Sequence, residues 1–279
     1  MSGPRRGSLT IVATPIGNLE DLSPRAVRTL ADADLVVCED TRHTRRLLSA
    51  AGVVSPPMLA AHEHAEAAQV ATVMERLAAG ARVALVSDAG LPGVSDPGER
   101  LVRAAADAGF EVVVVPGPSA ALAGLVVSGL PAGRFVFEGF LPRSGSGRTQ
   151  RLAALATEQR TAVLFEAPHR LVRTLGDLAE ALEADRPVAL CRELTKLHEE
   201  TWRGTLAQAV ARASAVEPRG EYVVVIGGAE PPAVATDADL AGALSRARAS
   251  GRSTRDAVAE VASAYGVSKR RVYGLAIEG

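Results

Sequence analysis

The side chains best suited to chemistry gather where short apolar runs end. Val83–Gly98 reads VALVSDAGLPGVSDPG: the apolar run stops at Ser87-Asp88, and two glycine-proline loops follow, the second closing on Ser95-Asp96-Pro97-Gly98. A buried parallel strand that ends in Ser-Asp delivers side chains into the crevice beyond the strand ends. Gly90, Gly93 and Gly98 let backbone amides approach a bound molecule with no Cβ in the way, so this loop is the expected ligand loop. Arg42, Arg45 and Arg46 follow Cys38-Glu39-Asp40 within about one helical turn, and a guanidinium donates two parallel hydrogen bonds to phosphate. Lys196 lies in RELTKLHEE after another apolar run and is, with Lys269, one of only two lysines among 31 cationic residues. An ammonium changes its pKa on burial where a guanidinium does not, although an exposed lysine needs no such role. The five histidines have no metal-ligand spacing, so no metal is expected. His62 and His64 read as surface residues at a helix start, and His169 as a helix cap.

Strands and helices that alternate are needed to hold these groups. Leu9–Ala13 and Leu35–Cys38 read as strands, with a helix opened between them by Ser23-Pro24. A basic helix over Thr41–Ala51 stops at Gly52, and another over Glu63–Ala79 stops at Gly80. Strands at Val83–Val86 and Phe110–Val115 bracket a further helix, and PGPSAALAGLVVSGL is a turn running into a small-residue helix. Leu141–Arg151 is rich in glycine, serine and arginine and reads as a linker or flexible loop. A second unit then has strands at Ala162–Phe165, Val188–Cys191 and Tyr222–Ile226, with a helix over Pro168–Ala184. The pattern predicts an α/β protein with mostly parallel sheet covered on both faces. After a second linker over Gly228–Ala235, the segment from Asp237 to Glu278 shows three short helix patterns. A glycine turn precedes Lys269-Arg270-Arg271, as in a helix-turn-helix.

The 279 residues suit two domains with a small appendage: residues 1–117, residues 118–230 and a helical domain over 237–279. A net charge of −1 makes the chain no polycation, so a nucleic-acid site must be a local patch. Cys38 and Cys191 sit in apolar runs without metal spacing and read as core residues of a reducing compartment. No apolar segment approaches the roughly 18 residues of a membrane span, and no signal segment precedes the first strand. A soluble cytoplasmic protein is expected.

Eight collinear segments carry a family resemblance: TPIGNLEDLSPRA, CEDTRHT, LVSDAGLPGVSDPG, VPGPSA, FEGFLP, FEAPHRL, RELTKLHEE and GEYVVVIGG. In this order the chain resembles the tetrapyrrole methylase (class III S-adenosylmethionine-dependent) family, in the branch that methylates ribose 2′-oxygens of ribosomal RNA. The resemblance covers nearly the whole chain. It implies two α/β domains with S-adenosylmethionine in the cleft between them, a basic helical tail that binds RNA, and a homodimer. The implied substrate is a cytidine in the decoding centre of 16S rRNA, in the small ribosomal subunit.

Site residues carry over by position. The resemblance assigns the cofactor to Pro15, Gly17, Ser87, Asp88, Ala89, Ser119, Ala120, Glu166 and Gly204. Ser119 also reads as a helix N-cap and Asp88 as a turn residue. Ribose methylation needs a base or a cation near the 2′-oxygen, and Lys196 is the first candidate, with Arg192 beside it and Asp40 as the alternative base. Arg42, Arg45, Arg46, Arg143, Arg148 and Arg151 form a possible RNA-facing rim, joined by Lys269, Arg270 and Arg271 in the tail. Two rival readings remain open at this point: a small-molecule methylase of the same fold, and a non-catalytic helix-turn-helix protein that senses the cofactor.

Overall fold

A computed structural model describes residues 7–61, 66–231 and 235–278; the expectations for His62 and His64 lie outside them. The described residues up to Ala229 form one compact unit and those from Glu230 a second.

The first unit holds two five-stranded sheets. In the first, β1 (Ser8–Val12), β2 (Leu35–Cys38), β3 (Met58–Ala60), β4 (Arg82–Leu85) and β5 (Glu111–Val115) are all parallel, in the order β3-β2-β4-β1-β5. Alternation along the strands sends Leu9, Val37 and Leu85 to one face and Val12, Val36 and Ala84 to the other. Helices α1 (Pro24–Ala31) and α2 (Thr41–Ala50) cover the second of these faces with Leu30 and Leu48, and α3 (Glu66–Ala78) and α4 (Glu99–Asp107) cover the first with Val73, Leu77 and Leu101. Each such leucine, fully buried, contributes about 2 kcal/mol. Cys38 and Cys191 are free and buried, and burial pushes both thiols up in pKa.

Helix α5 (Ala120–Ser128) leads into the second sheet, made of β6 (Phe135–Phe140), β7 (Thr161–Glu166), β8 (Pro187–Arg192), β9 (Glu200–Thr205) and β10 (Tyr222–Ile226). Its order is β6-β7-β10-β8-β9, and only the β6–β7 pair is parallel. The expected parallel character therefore holds for the first sheet alone. Helices α6 (Gly145–Thr157), α7 (Pro168–Ala181) and α8 (Leu206–Ala215) cover one face through Leu155, Leu175 and Ala209. The other face carries α5 and, from the first sheet's side, Ile16.

Leu141–Arg151 is not a flexible linker, because α6 begins at Gly145. Its glycines cost helix propensity, which tertiary anchoring offsets. Arg148 is 5% exposed and donates to Asp177, Thr174 Oγ1 and the Pro142 carbonyl.

In the second unit α9 (Asp237–Ala249), α10 (Thr254–Ala264) and α11 (Lys269–Glu278) pack around Leu240, Leu244, Val258, Val261 and Val272. Gly266 takes a φ of 61° in the turn before α11, a left-handed conformation that suits glycine.

Candidate active site

β1 and β4 are sheet neighbours, so the loops after them emerge side by side. Thr14 is buried there, and its Oγ1 donates to the carbonyls of Ser87 at 3.2 Å and Gly90 at 3.4 Å. The backbone N–H groups of Thr14 and Gly90 also donate to each other's carbonyls, at 2.8 and 3.1 Å. Gly90 has a φ of 84°, so a side chain at this crossing would strain the bridge. Ser87 is buried beneath the loop and its Oγ bonds to the carbonyls of Ala89 and Gly90, so it shapes the loop and does not line the cleft. The Asp88 carboxylate accepts the Asp40 N–H at 3.2 Å, tying the β4 loop to the β2 loop.

A cleft of about 410 Å³ opens beyond these strand ends. One wall is the Ala89–Leu91 loop, another is the start of α5, where Ser119 caps the helix by accepting the Leu122 N–H. Phe140 and Phe165, edge to face at 5.7 Å, form an aromatic wall. Glu166 lines the cleft but is 2% exposed; its oxygens accept from Thr174 Oγ1 and the Ala167 N–H, and pair with Arg170 at 3.2 Å. It stiffens the wall more than it offers a free charge. Asp96 also lines the cleft. Burial, aided by the charges of Glu39 and Asp88 and opposed by a Ser87 hydrogen bond, pushes its pKa up to about 6. The sequence shows Asp96 only as a turn residue; the nearness of Glu39 and Asp88 is not visible in it.

A second cavity of about 470 Å³ adjoins the first, sharing Ile16, Ala89 and Glu221 with it. Pro15, Gly17 and Asp88 line it from the strand-end loops, His43 and Arg46 from α2, and Lys196 from the loop after β8. Gly17 permits the closest approach across the cleft: a Cβ there would lie 2.6 Å from Lys196 Cγ and 2.7 Å from the Leu194 carbonyl. Asn18 N–H donates across the same junction to Thr195 Oγ1 at 2.9 Å. Glu193 and Thr195 hold positive φ angles of 51° and 60°, which turn the loop so that Lys196 Nζ reaches Glu193 at 2.9 Å and Glu221 at 2.7 Å. Burial lowers the Lys196 pKa, but the two carboxylates outweigh it and the net shift is upward. The raised pKa favours the ammonium form of Lys196, which suits the role of a cation beside the 2′-oxygen.

Several expectations fail on geometry. Side chains alternate along a strand, so Cys191 faces the cleft while Arg192 faces the helix side, where it pairs with Glu200 at 3.6 Å. Arg192 is not a catalytic residue of this cleft. Gly204 lies opposite Val188, on the same helix side, and a Cβ there would lie 2.6 Å from the Trp202 ring, so it makes room for the indole and does not contact a cofactor in the cleft. Asp40 caps α2; the Arg42 N–H that bonds to its carboxylate holds its pKa below the usual range, the wrong direction for a base. Arg148 is interior, so it is no part of an RNA-facing rim, and Arg151 is paired with Glu138. Arg42, Arg45 and Arg143 are exposed, but of the α2 arginines only Arg46 lines a cavity. In the second unit Lys269 and Arg270 are exposed, whereas Arg271 pairs with Asp237 at 2.8 Å.

The fold, two α/β sheets with a cleft at the strand ends, is that of a methylase class. A family model described as Tetrapyrrole (Corrin/Porphyrin) Methylases matches residues 8–210. Cobalt-precorrin-4 methyltransferase, a cobalamin biosynthetic enzyme, superposes with a TM-score of 0.62 at 17% identity, over 80% of this chain and 95% of that one. Uroporphyrin-III C-methyltransferase from Thermus thermophilus, solved with S-adenosylhomocysteine, gives a TM-score of 0.55 at 21% identity, over 79% of this chain and 96% of that one.

Sequence relatives are more specific. A Synechocystis protein named ribosomal RNA small subunit methyltransferase I is 44% identical over 275 residues, 98% of both chains. The Mycobacterium tuberculosis protein of that name is 45% identical over 98% of this chain and 95% of its own. The Thermotoga maritima protein of that name is 45% identical over 224 residues, 100% of its own length but 80% of this chain. The chain belongs to the tetrapyrrole methylase family and groups within it with the ribosomal RNA small subunit methyltransferase I proteins.

Proposed function

We propose that this protein transfers a methyl group from S-adenosylmethionine to the 2′-oxygen of a cytidine in the decoding centre of 16S rRNA. The observation that carries this reading is the pair of adjoining cavities, one walled by aromatics and carboxylates, the other setting Arg46, His43 and Lys196 opposite Asp88 and Glu221. The first suits the cofactor. Phe140 and Phe165 offer an apolar slot for an adenine, and the Ala89–Leu91 backbone with Ser119 and Ala120 offers polar groups for its edges. Asp96, crowded by Glu39 and Asp88, gains from a nearby cation.

The second cavity suits a phosphate-bearing acceptor. Arg46 and His43 take up phosphate, and Lys196 faces the oxygen that becomes anionic as its proton leaves. Glu221 takes the hydroxyl proton in this reading, which its lining of both cavities and its hydrogen bond to Lys196 support. The sulfonium supplies an already activated methyl group, so the residues here mainly align the acceptor with it.

Exposed Arg42, Arg45 and Arg143 extend the cationic surface of the first unit, and the second unit exposes Lys269 and Arg270 as its own cations. Cations in the first turn of α11 oppose the helix dipole and are better accommodated when an anion binds there. A homodimer is supported by Val113 and Val114 on edge strand β5, and by Leu122 and Val126 on α5, all large, apolar and exposed. Among the described residues no helix is long and apolar enough to cross a membrane, and an rRNA substrate fits a cytoplasmic location. The test is methyl transfer from labelled S-adenosylmethionine to small ribosomal subunits and, in parallel, to a carboxylated tetrapyrrole. Label in RNA alone supports the reading; label in the macrocycle alone supports a small-molecule methylase.

A further inference from the structure

On the far side of the second sheet lies a cavity of about 400 Å³ that the chemistry above leaves without a role. It sits between β8, β9, α8 and the loop at 216–219, with Trp202 and Tyr222 as its aromatic lining. Trp202 is the single tryptophan of the chain. Its indole lies over Gly204, where any Cβ would come within 2.6 Å of the ring. The Arg212 guanidinium stands over the ring at 5.8 Å from its centroid.

The charges are arranged for an anion at one end. Glu200 is bracketed by Arg192 and Arg212 and is neutralised between them. Arg219 is less engaged: among the described residues its acidic partner is Glu217 at 3.8 Å, and its side chain is 79% exposed. Its backbone is nonetheless fixed, because Arg192 Nε donates to the Arg219 carbonyl at 2.9 Å. An aromatic floor next to an exposed guanidinium on an anchored backbone matches a base next to its phosphate. Base–aromatic stacking and arginine contacts are how single-stranded nucleic acid is held without reading its sequence.

We infer that this cavity binds a nucleotide, its base stacked on Trp202 in the place the Arg212 guanidinium now takes over the ring, and its phosphate on Arg219. Resting on the reading under Proposed function, that nucleotide belongs to the RNA strand beside the target. Tyr222 lines both this cavity and the cleft, so the two positions flank one residue of the sheet. Glu217 is the competitor that an incoming phosphate displaces from Arg219.

Trp202 fluorescence in the full-length protein tests this directly, since no other tryptophan contributes. Cytidine 5′-monophosphate is expected to quench it saturably, cytidine more weakly, and inorganic phosphate to compete without quenching. A short single-stranded RNA is expected to bind about tenfold more tightly than the mononucleotide, the gain of one further stacked base or phosphate contact. Equal affinity for the two would assign the cavity to a free nucleotide and overturn its RNA role. Arg219→Ala weakens mononucleotide binding about tenfold, and Glu217→Gln strengthens it; both residues are exposed, so folding is preserved. Quenching that stays linear, or saturable quenching unchanged in Arg219→Ala, overturns the proposal. Methyl transfer to subunits is read separately. Transfer without saturable quenching sinks this site alone, and quenching without transfer sinks the ribosomal reading.

Discussion

Asp96 makes cofactor binding depend on pH in a way that distinguishes substrate from product. Burial, with the charges of Glu39 and Asp88, holds its pKa at about 6, against 3.8 for a free carboxyl. A cation in the cleft favours the carboxylate, so binding draws the pKa down and releases a proton wherever Asp96 was protonated. Affinity for S-adenosylmethionine therefore rises from pH 5 to pH 7 and levels off above. With a pKa of about 6, the ionised fraction is about 0.1 at pH 5 and about 0.9 at pH 7, which makes binding about tenfold weaker at pH 5, or about 1.4 kcal/mol. S-adenosylhomocysteine has an uncharged sulfur and follows a much flatter profile. Titration calorimetry in buffers of different ionisation heat reads both the affinity and the proton released. Asp96→Asn removes the slope and brings the two ligands toward equal affinity at pH 7. The same variant stabilises the ligand-free protein at pH 7. A carboxyl whose folded pKa is raised loses stability as pH rises from its unfolded pKa to its folded one, and Asn escapes that loss. Asp96 is only half-buried, so the gain is about 1–2 kcal/mol after solvent screening. Parallel pH profiles for the two ligands, or a slope that survives in Asp96→Asn, would refute this reasoning.

Lys196→Ala is expected to cut kcat/KM about 100-fold with little change in Tm, because the side chain is 32% exposed and its ammonium acts on the developing oxyanion. Its raised pKa means the rate shows no fall from Lys196 deprotonation up to about pH 9. Arg46→Ala raises KM for RNA about fivefold at constant Tm, as removal of one phosphate contact should. Arg148→Ala does the opposite: denaturation shows a loss of about 2–3 kcal/mol from the Thr174 hydroxyl and Pro142 carbonyl left without their donor, Asp177 keeping Arg173 at 3.9 Å, while RNA affinity of the folded protein holds. A chain ending at Ala229 keeps cofactor affinity but binds RNA more weakly, with a salt slope lower by about 2 for the loss of Lys269 and Arg270; filter binding at several salt concentrations measures it.

The strand-end loops were legible because their signals are local. Val83–Val86 is continuous and apolar, and Ser87-Asp88 with three glycines allows few alternatives to a turn at a strand end. Other elements of the first unit are harder to read. β9 is a polar edge strand, ETWRGT, whose alternation is masked by charge, and β3 has only three residues. α6 was hidden by its glycines, because what holds it is Arg148 reaching Asp177, 29 residues away. The facing of Arg192 turns on a one-residue parity that only the register with β9 and β10 fixes. Asp96 carries no local signal, because its chemistry comes from burial and from Glu39 and Asp88, brought near by parallel pairing of β2 and β4. Composition and motif thus located the crevice, while the facing of each side chain depended on pairings that no local pattern encodes.

Which atom receives the methyl group decides the proposed function most directly. Small subunits labelled by the protein with methyl-labelled S-adenosylmethionine can be digested to nucleosides and resolved by mass spectrometry. Label on the ribose of a cytidine is the predicted result. Label on a base, or none in RNA while the protein still binds the cofactor, would contradict it.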